Sequence, residues 1–178
     1  MRALLIAFFI LFQVDSQAQQ VYKRTLKLMG SRFDITVVAN NEAEGNSYID
    51  MAVAEINRIE KLISDWVPTT QVSEINRQAG IKPVKVDKEV FDLIVRSIKI
   101  SELTSGAFDI SYASMDKIWK FDGSMTKKPT EVEIKKSVEK IGYKKIILNE
   151  QDNSVFLKDA GMKIGFGAIG KGYAADKA

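Results

Sequence analysis

Two pairs of strand-like segments, each joined by a short turn, constrain the fold of this chain most strongly. Residues 21–28 and 32–39 flank Met29-Gly30-Ser31, and the second segment alternates apolar and polar side chains as a half-buried strand does. Residues 145–148 and 155–157 flank a second turn. Because strands joined by tight turns pair antiparallel, these segments predict an α+β fold, an antiparallel sheet with packed helices. They lack the regular alternation of a dinucleotide-binding Rossmann domain.

Apolar side chains that recur every three or four residues predict helices around these hairpins. The predicted helices are residues 43–64, a short stretch from Thr69 or Thr70 to Gly80, residues 88–103 after the cap Asp87, and residues 130–141. The last of them begins with a capping box from Thr130 to Glu133. Other predictions are a short strand within residues 81–86, a helical turn or two within residues 112–121 with Ile118 and Trp119 buried, and an exposed loop at residues 122–129.

The first stretch of the chain has the pattern of a secretory signal peptide. Arg2 precedes an apolar run at residues 3–12, which is too short to span a bilayer, and Ser16-Gln17-Ala18 fits a cleavage site. We therefore expect a signal peptide at residues 1–18. Residues 19–178 are the mature part, which is long enough to bury one sizeable core. The chain has no cysteine, which predicts export without disulfides or a lipid anchor, most simply to a bacterial periplasm.

Composition excludes several kinds of chemistry for this chain. It contains neither histidine nor cysteine, which excludes histidine acid–base catalysis, thiol nucleophiles and the usual zinc sites. Any metal would be a hard cation on oxygen ligands. The net charge is +3, with lysines and acids interspersed, so we expect no nucleic-acid partner.

A glycine-rich run near the end of the chain is the clearest candidate for a binding site. Residues 165–173 read Gly-Phe-Gly-Ala-Ile-Gly-Lys-Gly-Tyr, follow a β-like run and precede residues that can open a helix. A glycine turn that feeds a helix N-terminus offers free N–H groups to phosphate, and Lys171 adds a positive charge. The run is not a P-loop, and it fits the dinucleotide fingerprint only in part. A turn-and-packing motif is the alternative interpretation.

Two further positions carry alternatives of their own. Asp109 follows Gly106-Ala107-Phe108, where it could bind a ribose or ribityl hydroxyl or a ring nitrogen, or close an Asx-turn at the end of the third helix. The residues alone favour neither interpretation. Trp66 follows Ser64 and Asp65 in a polar loop, where it could stack on a flat ring. By itself, a core tryptophan that covers a helix end is the more frequent arrangement.

Four motifs in a fixed order give the chain a resemblance to a known family. They are Met29-Gly30-Ser31 with Phe33, Ser64-x-Trp66 with Ser73 and Asn76, Gly106-Ala107-Phe108-Asp109, and Gly167-Ala168-Ile169-Gly170-Lys171-Gly172-Tyr173-Ala174. In this order and rough spacing they resemble the N-terminal portion of the ApbE family, the FAD:protein FMN transferases. The resemblance covers residues 25–176.

The resemblance implies a fold, an activity and a set of site residues. Members of this family have an α+β body on antiparallel sheet, bind FAD and Mg²⁺, and move FMN onto a threonine hydroxyl of an acceptor protein with release of AMP. By position, Met29, Trp66 and Asp109 would line the flavin or adenine pocket. Lys171 and Gly172 would face the pyrophosphate, and the carbonyl of Ala168 would be a Mg²⁺ ligand.

The resemblance also implies what this chain lacks. Gly165 stands where the family commonly has an acid. The C-terminal half of the fold is not in the sequence, so the catalytic residues and the remaining metal ligands are expected beyond residue 178.

Partners and rival functions follow from the same resemblance. The expected acceptor is a redox protein on the periplasmic side. Any association of this protein with the inner membrane would occur through that acceptor. One alternative is an exported protein that binds or hydrolyses FAD without an acceptor. The other is a non-catalytic exported domain whose motifs are only structural.

Overall fold

The computed structural model describes residues 18–120 and 122–178, which form two compact units. One unit ends at Ala54 and the other comprises Glu55–Ala178. The predicted signal peptide lies outside the described residues except for Ala18. In the part that is described, no helix combines the length and the apolar character needed to cross a membrane.

The N-terminal unit is built on the predicted hairpin. Strands β1 (Gln20–Leu28) and β2 (Ser31–Ala39) pair antiparallel, with Leu28 opposite Ser31 next to the turn. The two loop residues, Met29 and Gly30, have φ angles of 48° and 69°. Positive φ at both loop residues is the geometry whose twist matches that of the flanking strands. The hairpin is therefore confirmed with the turn where the sequence predicts it.

Helix α1 (Glu42–Ile63) begins beside this hairpin and continues into the second unit. Its first turn is capped by Asn41, whose side-chain oxygen accepts from the Glu44 amide at 3.0 Å. Arg24 of β1 bonds to Asp50 and to Asn46, which ties the strand to the first half of the helix.

The C-terminal unit holds a three-stranded antiparallel sheet, in the order β3-β5-β4, with helices around it. Its further helices are α2 (Gln71–Arg77), α3 (Lys88–Leu103), α4 (Glu131–Ser137) and α5 (Gly170–Lys177), its strands are β3 (Val84–Lys85), β4 (Ile146–Asn149) and β5 (Ser154–Leu157), and Ile110–Ser114 and Tyr143–Lys145 are 3₁₀ turns. The predicted α+β class is confirmed.

The core of this unit is the set of apolar positions that the helical and strand periodicities place inward. Fully or nearly fully buried side chains come from α1, α2, α3, β5 and the segment after β5: Ile56, Ile59, Ile75, Val72, Val90, Ile94, Val155, Leu157, Met162 and Ile164. Burial of a single large apolar side chain contributes about 1.5–3 kcal/mol. These contacts fix α1, α2 and α3 around the segment that leads to the glycine run.

Several predicted boundaries differ from those in the structure. The capping box of α4 is confirmed, but the helix ends at Ser137 instead of residue 141, where the Ser137 carbonyl accepts from the Asp116 amide. Only the 3₁₀ turn Ile110–Ser114 forms near residues 112–121; beyond it the chain is irregular and leaves Ile118 and Trp119 half-buried. The strand predicted within residues 81–86 forms only at Val84–Lys85, because Pro83 has no N–H to donate.

Gly80, which the sequence predicts as the end of the second helix, lies just beyond that helix and packs against another backbone segment. It lies two residues beyond Gln78, the C-cap of α2, with φ of 74°, and donates its N–H to Leu157 at 2.8 Å. A Cβ at this position would lie 2.7 Å from the backbone nitrogen of Ala160. Glycine is required here by conformation and by close approach of a second backbone segment.

We predict that Gly80→Ala lowers the free energy of unfolding by about 2–4 kcal/mol, since it adds a backbone clash to the cost of positive φ. Gly123→Ala is the matched control, because Gly123 has a similar φ of 81° but no atom within 4 Å of its Cβ position. It should cost about 1–2 kcal/mol. Urea unfolding of both variants measures the difference, and equal losses would contradict the close-approach argument.

Candidate functional site

An open cleft of about 490 Å³ lies in the C-terminal unit. Its lining comes from the loop between α1 and α2, from α2 itself, from residues 112–117 and from the segment before α5; the charged and aromatic side chains are Asp65, Trp66, Arg77, Tyr112, Lys117 and Lys163. Two aromatic rings, one acid and three basic groups thus share one depression. Such a lining suits a flat ligand that carries negative charge.

Trp66 is the most exposed aromatic side chain of the cleft, at 78% of its full accessibility. The Lys117 ammonium lies 5.0 Å from the centre of the Trp66 ring, a cation–π distance. The core-tryptophan interpretation is therefore wrong. The Trp66 ring is exposed, as stacking on a flat ligand ring requires.

The loop that carries Trp66 is held in shape by its own polar residues. The Thr70 hydroxyl donates to the Ser64 carbonyl at 2.6 Å and caps α2 by accepting from the Ser73 amide at 3.1 Å. The Ser73 hydroxyl donates to the Val67 carbonyl at 2.8 Å. Small hydroxyl side chains thus satisfy the loop's carbonyl groups and present Trp66 at the surface.

The segment at residues 162–166, which leads into the glycine run, has no regular secondary structure and belongs to neither sheet. The Asn76 side chain takes the place of a neighbouring strand: its amide donates to the Ile164 carbonyl at 3.0 Å and its oxygen accepts from the Ile164 amide at 2.8 Å. In the same way, the Ser114 hydroxyl donates to the Lys163 carbonyl at 2.8 Å and accepts from the Lys163 amide at 2.7 Å. Two polar side chains therefore position the start of the glycine run.

The glycine run makes a turn at residues 167–169 and opens α5 at Gly170, as the sequence predicts. A Cβ at Gly167 would lie 2.6 Å from the Tyr112 hydroxyl, so the turn passes directly against a side chain of the cleft. Ala168, Lys171 and Gly172 are exposed. Lys171 and the turn are thus presented to solvent next to the cleft.

The Ala168 carbonyl oxygen accepts no hydrogen bond from the residues that the structure describes. It is the kind of oxygen donor that a hard cation binds. No group of three or more acidic, histidine or cysteine side chains that could hold a metal is present within residues 18–120 and 122–178. The metal role of Ala168 stays a prediction.

Asp109 is not among the residues that line the cleft, and its carboxylate is engaged in structural hydrogen bonds. One carboxylate oxygen accepts from the amide and the hydroxyl of Ser111, at 2.7 and 2.6 Å, and the other accepts from the Tyr143 amide at 2.8 Å. This is an Asx-type cap, although it opens the Ile110–Ser114 turn and does not close α3. A ligand role for Asp109 stays a prediction, as does that of Met29, which lies in the N-terminal unit.

Gly165 is closely packed where the family resemblance leads one to expect an acid. A Cβ at this position would lie 3.1 Å from a carboxylate oxygen of Asp65 and 3.2 Å from the Ala113 methyl group. Asp65 therefore already places a carboxylate beside residue 165. An acidic side chain there would face this carboxylate at close range.

Four charged or aromatic side chains of the cleft were not among the residues that the sequence predicts for the site: Arg77, Tyr112, Lys117 and Lys163. Tyr112 is three residues after Asp109, so its place next to a candidate site residue was a usable signal. The basic residues stand among many other exposed lysines and arginines, and no local pattern separates them.

A charged cluster borders α5 on another side. Arg58 of α1 makes a two-pronged contact with Glu89 at the start of α3, at 2.8 and 2.9 Å, and a second one with Glu55. The Tyr173 hydroxyl donates to Glu89 at 2.8 Å. The Arg58 guanidinium lowers the pKa of Glu89, while burial, followed by the Glu89 contact, raises the pKa of Tyr173 to about 12.

Comparison with known proteins decides the family. The model of the ApbE family matches residues 29–178. The chain belongs to the ApbE family. An FAD:protein FMN transferase of Klebsiella pneumoniae is 31% identical over 89% of this chain and 49% of its own length. One of Treponema pallidum is 25% identical over 88% of this chain and 45% of its own.

Solved structures agree with this assignment. The ApbE protein of Thermotoga maritima superposes with a TM-score of 0.76 at 28% identity, over 88% of this chain and 50% of that one. The flavin transferase ApbE of Vibrio cholerae gives the same TM-score at 16% identity, which supports the fold alone. The chain spans about half the length of the relatives it matches.

We predict that Asn76→Ala lowers the free energy of unfolding by about 2–4 kcal/mol, because two backbone groups of Ile164 lose their partner. Asn149→Ala removes a single exposed bond to the Gln151 amide and should cost less than about 1 kcal/mol. Urea unfolding compares the two. A loss at Asn76 no larger than at Asn149 would show that the amide does not hold this segment.

We also predict a pH-dependent effect of Glu89→Gln. Since the pKa of Glu89 lies below its ordinary value of 4.5, the carboxylate contributes stability above pH 4.5 and loses it as the pH falls through the folded pKa. The variant should be less stable than the natural protein near neutral pH, and the difference should shrink in acid. Thermal unfolding across this range measures it; a constant difference would contradict the assignment.

Proposed function

We propose that the complete protein transfers FMN from FAD to a threonine hydroxyl of an acceptor protein and releases AMP. The observation that carries the proposal is the position of residues 167–171, which we call the Lys171 turn. This turn lies against Tyr112 at Gly167, on the border of a cleft that presents Trp66. A flat ring and a pyrophosphate could bind side by side in this arrangement. Membership of the ApbE family, and relatives named FAD:protein FMN transferase, support it.

Each part of FAD has a matching group on this chain. Trp66 offers a stacking surface for one of the two ring systems. The first turn of α5 offers N–H groups and the positive end of a helix dipole, and Lys171 adds a full charge for the pyrophosphate. Among the described residues, no atom outside its own helix backbone and chain neighbours would lie within 4 Å of a Cβ at Gly172. This part of the chain therefore leaves room for a ligand to reach the backbone. Arg77, Lys117 and Lys163 favour an anionic ligand.

The donors that this chain presents fit Mg²⁺ in part. The exposed and unbonded carbonyl of Ala168 is a suitable oxygen ligand, and we place the remaining ligands beyond residue 178. When bound, Mg²⁺ would neutralise charge on the pyrophosphate.

The reaction is a phosphoryl-group transfer. The threonine oxygen forms a bond to the FMN phosphorus, the bond from that phosphorus to the bridging oxygen breaks, and AMP leaves with that oxygen. The Lys171 turn would hold the pyrophosphate in place for this displacement. We place the group that accepts the hydroxyl proton beyond residue 178.

We propose further that the protein acts outside the cytoplasm. The signal-peptide pattern at residues 1–18 and the lack of cysteine support a periplasmic location. Its acceptor would then be a redox protein exposed on that side of the inner membrane.

We predict that the full-length protein, incubated with FAD, Mg²⁺ and a threonine-containing acceptor, labels the acceptor covalently with FMN. In-gel flavin fluorescence and the mass of the acceptor measure the product. FMN and AMP released without labelling would indicate an FAD hydrolase. Neither labelling nor FAD binding would indicate a non-catalytic domain, and either result would contradict the proposal.

In the same protein, Lys171→Ala should weaken FAD binding roughly tenfold or more, because a charge-assisted contact to the pyrophosphate is lost. Lys136→Ala, at an exposed lysine of α4, is the control and should bind FAD normally. Fluorescence titration with FAD measures both affinities. Equal affinities of the two variants would remove Lys171 from the site.

A further inference from the structure

We propose that Glu89, braced by Arg58, is a positioning residue for Lys171, which it acts on through the hydroxyl of Tyr173. The inference rests on the proposed function, since it gives Lys171 its role at the pyrophosphate. It assigns a purpose to the charged cluster on α1 and α3, which has no part in the cleft lining.

Helix geometry links Tyr173 to Lys171. Residues two apart on a helix are separated by about 200° around its axis, so they point to nearly opposite sides. Tyr173 accordingly faces the protein and is half-buried, while Lys171 is exposed. Fixing Tyr173 therefore fixes the direction in which Lys171 leaves the helix.

The first turn of α5 depends on such outside contacts. The helix spans only Gly170–Lys177, and isolated helices of this length are marginal in water. Two of its first three residues, Gly170 and Gly172, are glycines, which also disfavour the helix. On the side before the helix, the turn rests against Tyr112 at Gly167; within the helix, Tyr173 bonds to Glu89.

Glu89 is itself held rigidly. Arg58 donates to both carboxylate oxygens of Glu89 and also to both carboxylate oxygens of Glu55. Its planar guanidinium therefore bridges two acids. One oxygen of Glu89 accepts from both Arg58 and Tyr173. The acceptor for the tyrosine hydroxyl is thus a carboxylate with a fixed position, anchored on α1 and α3.

The arrangement predicts a specific energetic coupling. Tyr173→Phe removes one hydroxyl and its bond to Glu89 but keeps the ring and its burial. If the bond aims Lys171 at the pyrophosphate, the variant should bind FAD and ADP several-fold more weakly, on the order of three- to tenfold. Riboflavin lacks the pyrophosphate, so its affinity should not change.

A double-mutant cycle on the full-length protein tests the inference, with affinities taken from titrations with FAD, ADP and riboflavin. The variants are Tyr173→Phe, Lys171→Ala and both together. Since Tyr173 acts through Lys171, Tyr173→Phe should have little further effect once Lys171 is alanine. Tyr48→Phe is the matched control: the Tyr48 hydroxyl also donates to a glutamate, Glu44, at 2.6 Å, but on α1. It should leave all three affinities unchanged.

The outcomes separate this inference from the proposed function. If Tyr173→Phe and Lys171→Ala weaken FAD binding independently, or if riboflavin and ADP lose affinity alike, Tyr173 has only a general structural role and the inference is overturned. If Tyr173→Phe changes no affinity, the inference is overturned as well. If the natural protein binds neither FAD nor ADP, the proposed function fails first and the inference falls with it.

Discussion

The pair of hydrogen bonds between the Asn76 side chain and the backbone of Ile164 is the contact on which the candidate site depends. The two residues are 88 positions apart in sequence, and their contact joins α2 to the segment that leads into the glycine run. Ser114 makes an equivalent pair with Lys163. A segment that belongs to neither sheet would otherwise leave buried backbone groups unpaired, which is costly. These side chains therefore place the turn at residues 167–169 next to the cleft.

Some residues of the candidate site support the turn at residues 167–169, and others are exposed to a ligand. Phe166 and Ala174 are buried on either side of the turn. Tyr112 lies against Gly167, and Tyr173 ties the helix that follows the turn to Glu89. The groups with free hydrogen-bonding or charge capacity point outward: the Ala168 carbonyl, Lys171 and the Gly172 backbone. A rigid support beneath exposed donors is what preorganised binding of a phosphate group requires. Trp66 follows the same rule, because its loop is tied by hydroxyl groups while its ring remains exposed.

Local signals in the sequence predicted the secondary-structure elements but not the tertiary contacts between them. The Met29-Gly30 hairpin, the capping box at Thr130 and the turn before α5 each depend on neighbours a few residues away, and all three are confirmed. Trp66 was misjudged as more often a core residue, because burial depends on distant segments. Lys117 and Lys163 were missed for the same reason: the cleft forms only when separate segments pack together. The sequence offered Asp109 an Asx-turn at the end of α3, whereas its carboxylate caps the Ile110–Ser114 turn through Ser111 and also accepts from the distant Tyr143 amide.

A crystal structure of the full-length protein with FAD tests most directly whether the Lys171 turn and the Trp66 cleft form two parts of one FAD site. We expect the pyrophosphate against residues 168–172, within hydrogen-bonding reach of Lys171, and one ring of the ligand stacked on Trp66. A structure in which FAD binds elsewhere, with the turn and the tryptophan both free of ligand, would contradict this expectation.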